Sequence, residues 1–275
     1  MTGIVLITGA TGFVGCQVLR QLANRSVEIR AVIREGSRDK LIKGAPLEKV
    51  ITTPDLFAES ADWWAKACEG VDTVIHVAWY AESGEYLQSP KNLDCLIGSV
   101  NMAKGADRAG VRRVVGIGSC FEYDLTEGRL SVESPLKPLS LYAAAKTAVF
   151  STLSQFLRSQ GIEFLWCRIF YLYGEREDPR RLVPYIRSML AAGKPAELGR
   201  GDQVRDFTDV AVAGEMIADE AAGDRQGAVN ICSGVPITVR EIAEKIADEY
   251  GRRDLLQFGV RPDNEIDPPC VVGIK

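Results

Sequence analysis

A chain of 275 residues with 46% hydrophobic and 25% charged residues carries enough apolar material for one large folded unit, or one and a half. Its net charge of −4 gives no footing for a nucleic-acid partner, and no apolar run approaches the ~20 residues that a bilayer span needs. Seven scattered cysteines (Cys16, Cys68, Cys95, Cys120, Cys167, Cys232 and Cys270) without a C-x-x-C pair, together with a single histidine, His76, exclude a disulfide framework and a multi-histidine metal site, so no metal is expected.

The start, Met1 to Ile7, enters a strand directly and lacks the basic region and cleavage site of a signal peptide, so a cytoplasmic protein is expected. The run Ile4–Thr8 predicts the first strand and Phe13–Ala23 the first helix. Further strands are predicted over Glu28–Ile33, Val50–Thr53, Val71–Ala78, Val114–Ser119 and Glu163–Phe170. Several of these are β-branched and apolar throughout, as parallel strands buried on both faces are. Helices are predicted over Ala61–Cys68, Pro90–Ala109 and Leu141–Ser159. This alternation predicts an α/β fold, a Rossmann doubly wound parallel sheet, over residues 1–173. From Gly174 the texture changes, with Pro, Gly and charge dense through Gly174–Pro184 and Gly193–Phe207. A helix over Val210–Ala221, a strand over Val229–Ile231 and a helix over Val239–Tyr250 follow. Residues 174–275 are therefore expected to form mostly a smaller C-terminal substrate-binding lobe, interleaved with the Rossmann domain. The closing stretch Pro262–Lys275 shows no terminal helix and reads as a truncated C-terminus.

Three groups of residues carry chemistry. Gly9, Thr11, Gly12, Phe13, Val14 and Gly15 form a G-x-x-G-x-x-G run between a strand and a helix. Such glycines let the backbone approach a pyrophosphate, which then sits on the helix N-terminus. At the end of the second strand the acidic residue that binds the ribose of NAD is missing, and Arg34 and Arg38 stand nearby. Guanidinium groups match phosphate geometry, so NADP is favoured over NAD, with Glu35 left as a possible ribose ligand. Tyr142 and Lys146 are four apart on a predicted helix and point the same way. A free phenol titrates near ~10, and a neighbouring ammonium is expected to lower that value. Ser119, ending a strand, offers a hydroxyl beside the phenol. The set suits proton transfer coupled to hydride transfer.

With these residues the chain resembles the extended short-chain dehydrogenase/reductase family, in its NAD(P)-dependent nucleotide-sugar epimerase/dehydratase branch. The resemblance also rests on Asp55-Leu56, His76-Val77-Ala78, the run from Arg168 to Gly174, Arg205-Asp206-Phe207 and the run from Asn230 to Gly234. It implies that Asp55 and Leu56 flank the adenine and that Val77, Ala78 and Phe170 line the cofactor. Tyr142 is implied as the acid/base, Lys146 as the ligand of the nicotinamide ribose, and Ser119 as the group orienting the substrate oxygen. Cys120, Phe121 and Tyr171 are implied on the substrate side, with Arg205 and Arg261 on the diphosphate of a sugar nucleotide. His76 reads as a buried scaffold residue. A homodimer through the helices around Pro90–Ala109 and Leu141–Ser159 is expected.

The departures from the family pattern narrow the reaction. Nucleotide-sugar 4,6-dehydratases carry an acidic pair just after the Ser/Thr, where this chain has Cys120 and Phe121. Removing water needs an acid and a base at that place, so dehydration is disfavoured. The sequence thus predicts a 4-keto-6-deoxy-sugar reductase using Tyr142 as acid. A nucleotide-sugar 4-epimerase with tightly held NAD, a reductase of another carbonyl, and a non-catalytic dinucleotide-sensing module are the alternatives.

Overall fold

The computed structural model describes residues 3–262 and 268–275. The chain alternates strand and helix from the start: β1 (Ile4–Thr8), α1 (Phe13–Ala23), β2 (Glu28–Arg34), β3 (Leu47–Thr53), α2 (Ala61–Ala67), β4 (Val71–His76), α3 (Lys91–Arg108) and β5 (Arg113–Ser119). A short β6 (Arg129–Leu130), α4 (Leu141–Ser159), β7 (Glu163–Ile169) and β8 (Tyr171–Tyr173) follow. The second part holds α5 (Leu182–Ala191), β9 (Ala196–Glu197), β10 (Val204–Arg205), β11 (Phe207–Asp209), α6 (Val210–Ala222), β12 (Gly227–Ile231), β13 (Ile237–Thr238), α7 (Val239–Tyr250), β14 (Leu256–Gln257) and β15 (Cys270–Gly273).

Seven strands form one sheet in the order β12-β7-β5-β4-β1-β2-β3, with every pairing parallel. This is a Rossmann α/β fold. Both faces are apolar because helices cover both. Val18, Leu19 and Leu22 of α1 and Ile217 and Ala221 of α6 pack on one face. Trp64 of α2, Met102 and Ala106 of α3, and Leu153 and Leu157 of α4 pack on the other. Helices α2 and α3 approach closely because Gly105 has no side chain: a Cβ there would lie 2.3 Å from Cβ of Trp64. Ser140 caps α4 by accepting from Ala143 N at 3.1 Å, which fixes where the helix carrying Tyr142 begins.

Helix α6 and strand β12 return to the large sheet, while α5 and α7 build a separate small core from Ile186, Leu190, Ile242 and Ile246. A sheet of order β13-β10-β15-β6 joins this lobe to the turn region after β5. Asp206, fully buried between β10 and β11, ties the lobe down by accepting from the backbone N–H groups of Ser233 (2.7 Å), Gly234 (2.9 Å) and Gly273 (3.2 Å). Of the closing stretch Pro262–Lys275, residues 263–267 lie outside the described set, and Cys270–Gly273 forms β15. No described helix is long and apolar enough to cross a membrane.

Candidate active site

Above the carboxyl ends of the strands opens a cleft of about 790 Å³. It straddles β1 and β4, where the strand order reverses, which is where open α/β sheets bind ligands. The glycine turn makes its first wall. Gly9 has φ +70°, and a Cβ on it would lie 2.7 Å from Ala78 N; one on Gly15 would lie 2.1 Å from the Gly9 carbonyl oxygen. Gly12 opens α1 in extended backbone with no side-chain cap, and the first turn holds no acidic residue. The first N–H groups of α1 and the positive end of its dipole are thus kept for an anion, and the cradle fits a dinucleotide pyrophosphate. Gly15→Ala is expected to abolish dinucleotide binding, because its methyl group forces the turn open. Calorimetric titration with NAD reads this directly, and unchanged binding would show that the turn is not the cradle.

Tyr142 and Lys146 stand one turn apart on α4, both buried, against the end of β5. The Lys146 ammonium donates to the Ile117 carbonyl at 2.6 Å and lies 3.8 Å from the centre of the Trp79 ring. Burial pulls it down to about 7, with Glu122 and Cys95 acting in the other direction. Burial pushes the Tyr142 phenol above its ordinary value, the adjacent Tyr86 adds to this, and a hydrogen bond with the Ser119 side chain opposes it. This corrects the expectation that Lys146 lowers the phenol. Loss of hydration dominates, and the ammonium is directed at a carbonyl and an indole face. The phenol is therefore protonated at neutral pH, a donor awaiting an oxygen.

His76 is held in a closed relay. Ala78 N donates to Thr8 Oγ1 (3.1 Å), Thr8 Oγ1 meets His76 Nδ1 (3.0 Å), His76 Nε2 meets Ser99 Oγ (3.0 Å), and Ser99 Oγ donates to the Cys95 carbonyl (2.7 Å). The relay assigns the ring proton to Nε2. Burial first, and Lys146 second, depress the imidazole to about 3, so it stays neutral and serves as scaffold.

The cleft brings together Gly9, Thr11, Gly12, Phe13, Val14, Gly15, Arg34, Asp55, Leu56, Val77, Ala78, Ser119, Cys120, Phe121, Tyr142, Lys146, Phe170 and Tyr171. It leaves out three residues expected there. Arg38 lies in an exposed turn and does not line it. Arg205 is 2% exposed, with its guanidinium 5.2 Å from the centre of the Tyr171 ring, so it backs Tyr171 without facing the cleft. Arg261 lies over the Tyr185 ring at 4.5 Å, in the small lobe and away from the cleft. The sequence reading missed Trp79, Tyr86, Arg176 and Arg181, which do line it. The two arginines fall in the charged Gly174–Pro184 run, so their signal was there as a loop facing the sheet edge. Nothing local marks the two aromatics.

Comparison with known proteins agrees with this geometry. The model of the NAD dependent epimerase/dehydratase family matches residues 5–232. A dTDP-6-deoxy-L-talose 4-dehydrogenase (NAD(+)) from Aggregatibacter actinomycetemcomitans is 23% identical, over 98% of this chain and 99% of its own. MoeE5 in complex with UDP-glucuronic acid and NAD matches with a TM-score of 0.83 and 26% identity, covering 99% of this chain and 90% of that one. A UDP-N-acetylglucosamine 4-epimerase from Methanobrevibacter ruminantium M1, in complex with UDP-N-acetylmuramic acid, shares the fold with a TM-score of 0.88 at 20% identity, covering 99% and 89%.

These findings correct the expected preference for NADP: the dinucleotide of the MoeE5 complex is NAD, and the bacterial relative is an NAD(+) dehydrogenase. The physical reason lies in the second strand's end. Arg38 lies in an exposed turn outside the cleft, so the Arg34–Arg38 pair expected to meet a 2′-phosphate is not assembled there. The glycine cradle, the Tyr142–Lys146 pair beside Ser119 and the family match over residues 5–232 converge: the chain belongs to the NAD dependent epimerase/dehydratase family and is an enzyme of the extended short-chain dehydrogenase/reductase type.

Proposed function

We propose that this enzyme reduces the C4 ketone of a 6-deoxyhexose carried on a nucleoside diphosphate, with NAD as its dinucleotide, and runs the reverse 4-dehydrogenation with the same residues. The observation that carries this reading is the lack of a free carboxylate in the turn directly after Ser119. Cys120 is buried, and burial pushes its thiol up to about 12, so it is neither a base nor a useful acid at neutral pH. Phe121 packs edge-on to Tyr171 with ring centres 6.1 Å apart. The next carboxylate, Glu122, is fully buried and committed to Ser119 N, Trp166 and Arg168. Elimination across C5–C6 of the sugar therefore lacks its acid and base, while the groups for exchange at C4 are complete. A relative that acts by name as a 4-dehydrogenase on a 6-deoxy sugar nucleotide supports the same reading.

In this mechanism the Gly9–Gly15 turn holds the pyrophosphate, Asp55, Leu56, Val77 and Ala78 line the dinucleotide, and Lys146 holds the nicotinamide ribose. Bound NAD supplies hydride exchange at the sugar's C4. Tyr142, kept protonated by burial, delivers its proton to O4 as the ketone becomes an alcohol. The Ser119 hydroxyl orients that oxygen. Arg181, which lines the cleft near Tyr86, is the cation offered to the substrate diphosphate, whereas Arg176 donates to the Lys40 carbonyl at 2.8 Å beside the turn after β2. A homodimer through α3 and α4 belongs to the same reading; Leu93 and Ile97 of α3 stand 47% and 59% exposed, as a helix face awaiting a partner does.

The test mixes enzyme, reduced NAD and a dTDP- or UDP-linked 4-keto-6-deoxyhexose and follows loss of reduced-nicotinamide absorbance with formation of the 6-deoxy sugar. Stoichiometric oxidation is expected. Conversion of a UDP-hexose to its C4 epimer, without net cofactor oxidation and without ketone reduction, would replace this reading with an epimerase.

A further inference from the structure

Between β4 and α3 the chain passes along the cleft wall, and one buried side chain organises it. Asn92, in the first turn of α3, is fully buried. Its Oδ1 accepts from Trp79 Nε1 at 2.9 Å, and its Nδ2 donates to the carbonyls of Tyr86 (2.6 Å) and Ser89 (2.9 Å). Both aromatics so tethered lean on the pair that carries the chemistry. The Trp79 ring centre is 3.8 Å from the Lys146 ammonium, and the Tyr86 ring meets Tyr142 edge-on with centres 4.9 Å apart. Trp79 also meets Tyr142 edge-on at 6.3 Å, and the Tyr142 backbone N–H donates to the Leu87 carbonyl at 2.9 Å within the same segment.

We propose that Asn92 is a positioning residue for the reaction: by fixing Trp79 and Tyr86 it sets where the Lys146 ammonium and the Tyr142 phenol stand. The inference rests on the assignment of that pair made above. A lysine has a flexible four-carbon stem, and an ammonium is drawn to the negative face of an indole. Trp79 therefore acts as a wall that confines the ammonium and keeps water from it, and Asn92 keeps the wall upright. The other groups facing Lys146 are the Ile117 carbonyl of β5, Glu122 after β5, Cys95 of α3, His76 at the end of β4, Trp166 of β7 and Tyr142 on its own helix. None of these hydrogen-bonds to the Asn92 side chain, so its removal acts on Lys146 and Tyr142 through the Trp79 and Tyr86 sides.

The test compares Trp79→Phe, which keeps a ring but loses the N–H that Asn92 holds, with Asn92→Leu and with the double variant, all in the full chain. The first readout needs no turnover: trace acetylation of Lys146 with acetic anhydride across pH, read by peptide mass. In wild type Lys146 is expected to titrate near neutrality. In each variant the titration is expected to move up toward the ordinary lysine range as water reaches the ammonium. The second readout is kcat, expected to fall about ten- to hundredfold with KM for NAD little changed. Because both substitutions break one tether, the double variant is expected to be no worse than Asn92→Leu. Asp94→Asn, exposed on the same helical turn, serves as control and is expected to behave as wild type. Unchanged Lys146 titration and kcat in folded Trp79→Phe, or additive losses in the double variant, overturn the proposal, and Trp79→Phe alone suffices should Asn92→Leu fail to fold. Titration that moves in an enzyme inactive on every nucleotide sugar would retire the functional assignment and leave the role of Asn92 standing.

Discussion

Tyr142→Phe is expected to reduce kcat by roughly 10²–10⁴-fold while NAD binding persists, because the substitution removes the proton donor and leaves the Gly9–Gly15 cradle untouched. The phenylalanine ring keeps the edge-on contacts with Tyr86 and Trp79, so the fold is expected to survive. The wild-type pH profile carries a second signature. The Tyr142 phenol is raised by burial and stays protonated through neutrality, whereas Lys146, lowered by burial to about 7, loses its charge as pH rises through that value. The charged donor assigned to the nicotinamide ribose is then gone, so ketone reduction is expected to slow on the alkaline side of neutrality. Steady-state kinetics from acid to alkaline buffer, with calorimetric NAD titration of the variant, checks both. Turnover that survives in Tyr142→Phe would remove Tyr142 from the mechanism.

The largest loss of stability is expected at Glu122, a residue outside every motif. Glu122 and Arg168 are 0% and 1% exposed and paired at 2.8 Å. The carboxylate also accepts from Trp166 Nε1 at 3.0 Å and from Ser119 N at 2.7 Å. Arg168 continues to the Tyr123 hydroxyl at 3.0 Å, Tyr123 donates to Asn230 Oδ1 at 2.7 Å, and Asn230 donates to the carbonyls of Leu130 and Ile274, each at 2.9 Å. One buried network thus joins the Ser119 turn to β7, β12 and the last residues of the chain. Glu122→Ala strands a buried guanidinium and two N–H donors, and breaking such a pair on one side costs about 3–5 kcal/mol. The melting midpoint is expected to drop by roughly 10 °C. Replacing both partners, Glu122→Met with Arg168→Met, is expected to restore part of the loss, because no charge is then left unpaired. Thermal denaturation of the single and double variants decides, and a Glu122→Ala protein that melts like wild type would contradict the role given to this network.

The sheet was legible because parallel strands buried on both faces are written as unbroken apolar runs, and Ile4–Thr8 and Leu141–Ser159 matched their elements residue for residue. Helix α5 was hidden by Pro184 and the charges before it. Proline there is the third helical residue, where the backbone N–H has no helical partner to lose. The gathering of Gly9–Gly15, Ser119, Tyr142 and Lys146 at one cleft was legible because a glycine turn after a strand and an i, i+4 pair on a helix have fixed geometries. Burial was not legible. Arg205 looks like a surface phosphate ligand in one dimension, and only its seat on β10 beneath Tyr171 makes it a support. Cofactor choice failed for a related reason: Arg34 and Arg38 are neighbours along the chain, yet the turn that opens after Gly36 carries Arg38 out of the cleft.

The central claim, hydride exchange at C4 of a 6-deoxy sugar nucleotide with Tyr142 as proton donor, is tested most directly with reduced NAD deuterated at the transferable position. The enzyme is incubated with a nucleotide 4-keto-6-deoxyhexose and the product is analysed by mass spectrometry and NMR. One deuterium at sugar C4 for each NAD released, lost when Tyr142 is replaced by Phe, is the predicted result. Product without deuterium at C4, or deuterium transfer that persists in Tyr142→Phe, would contradict it.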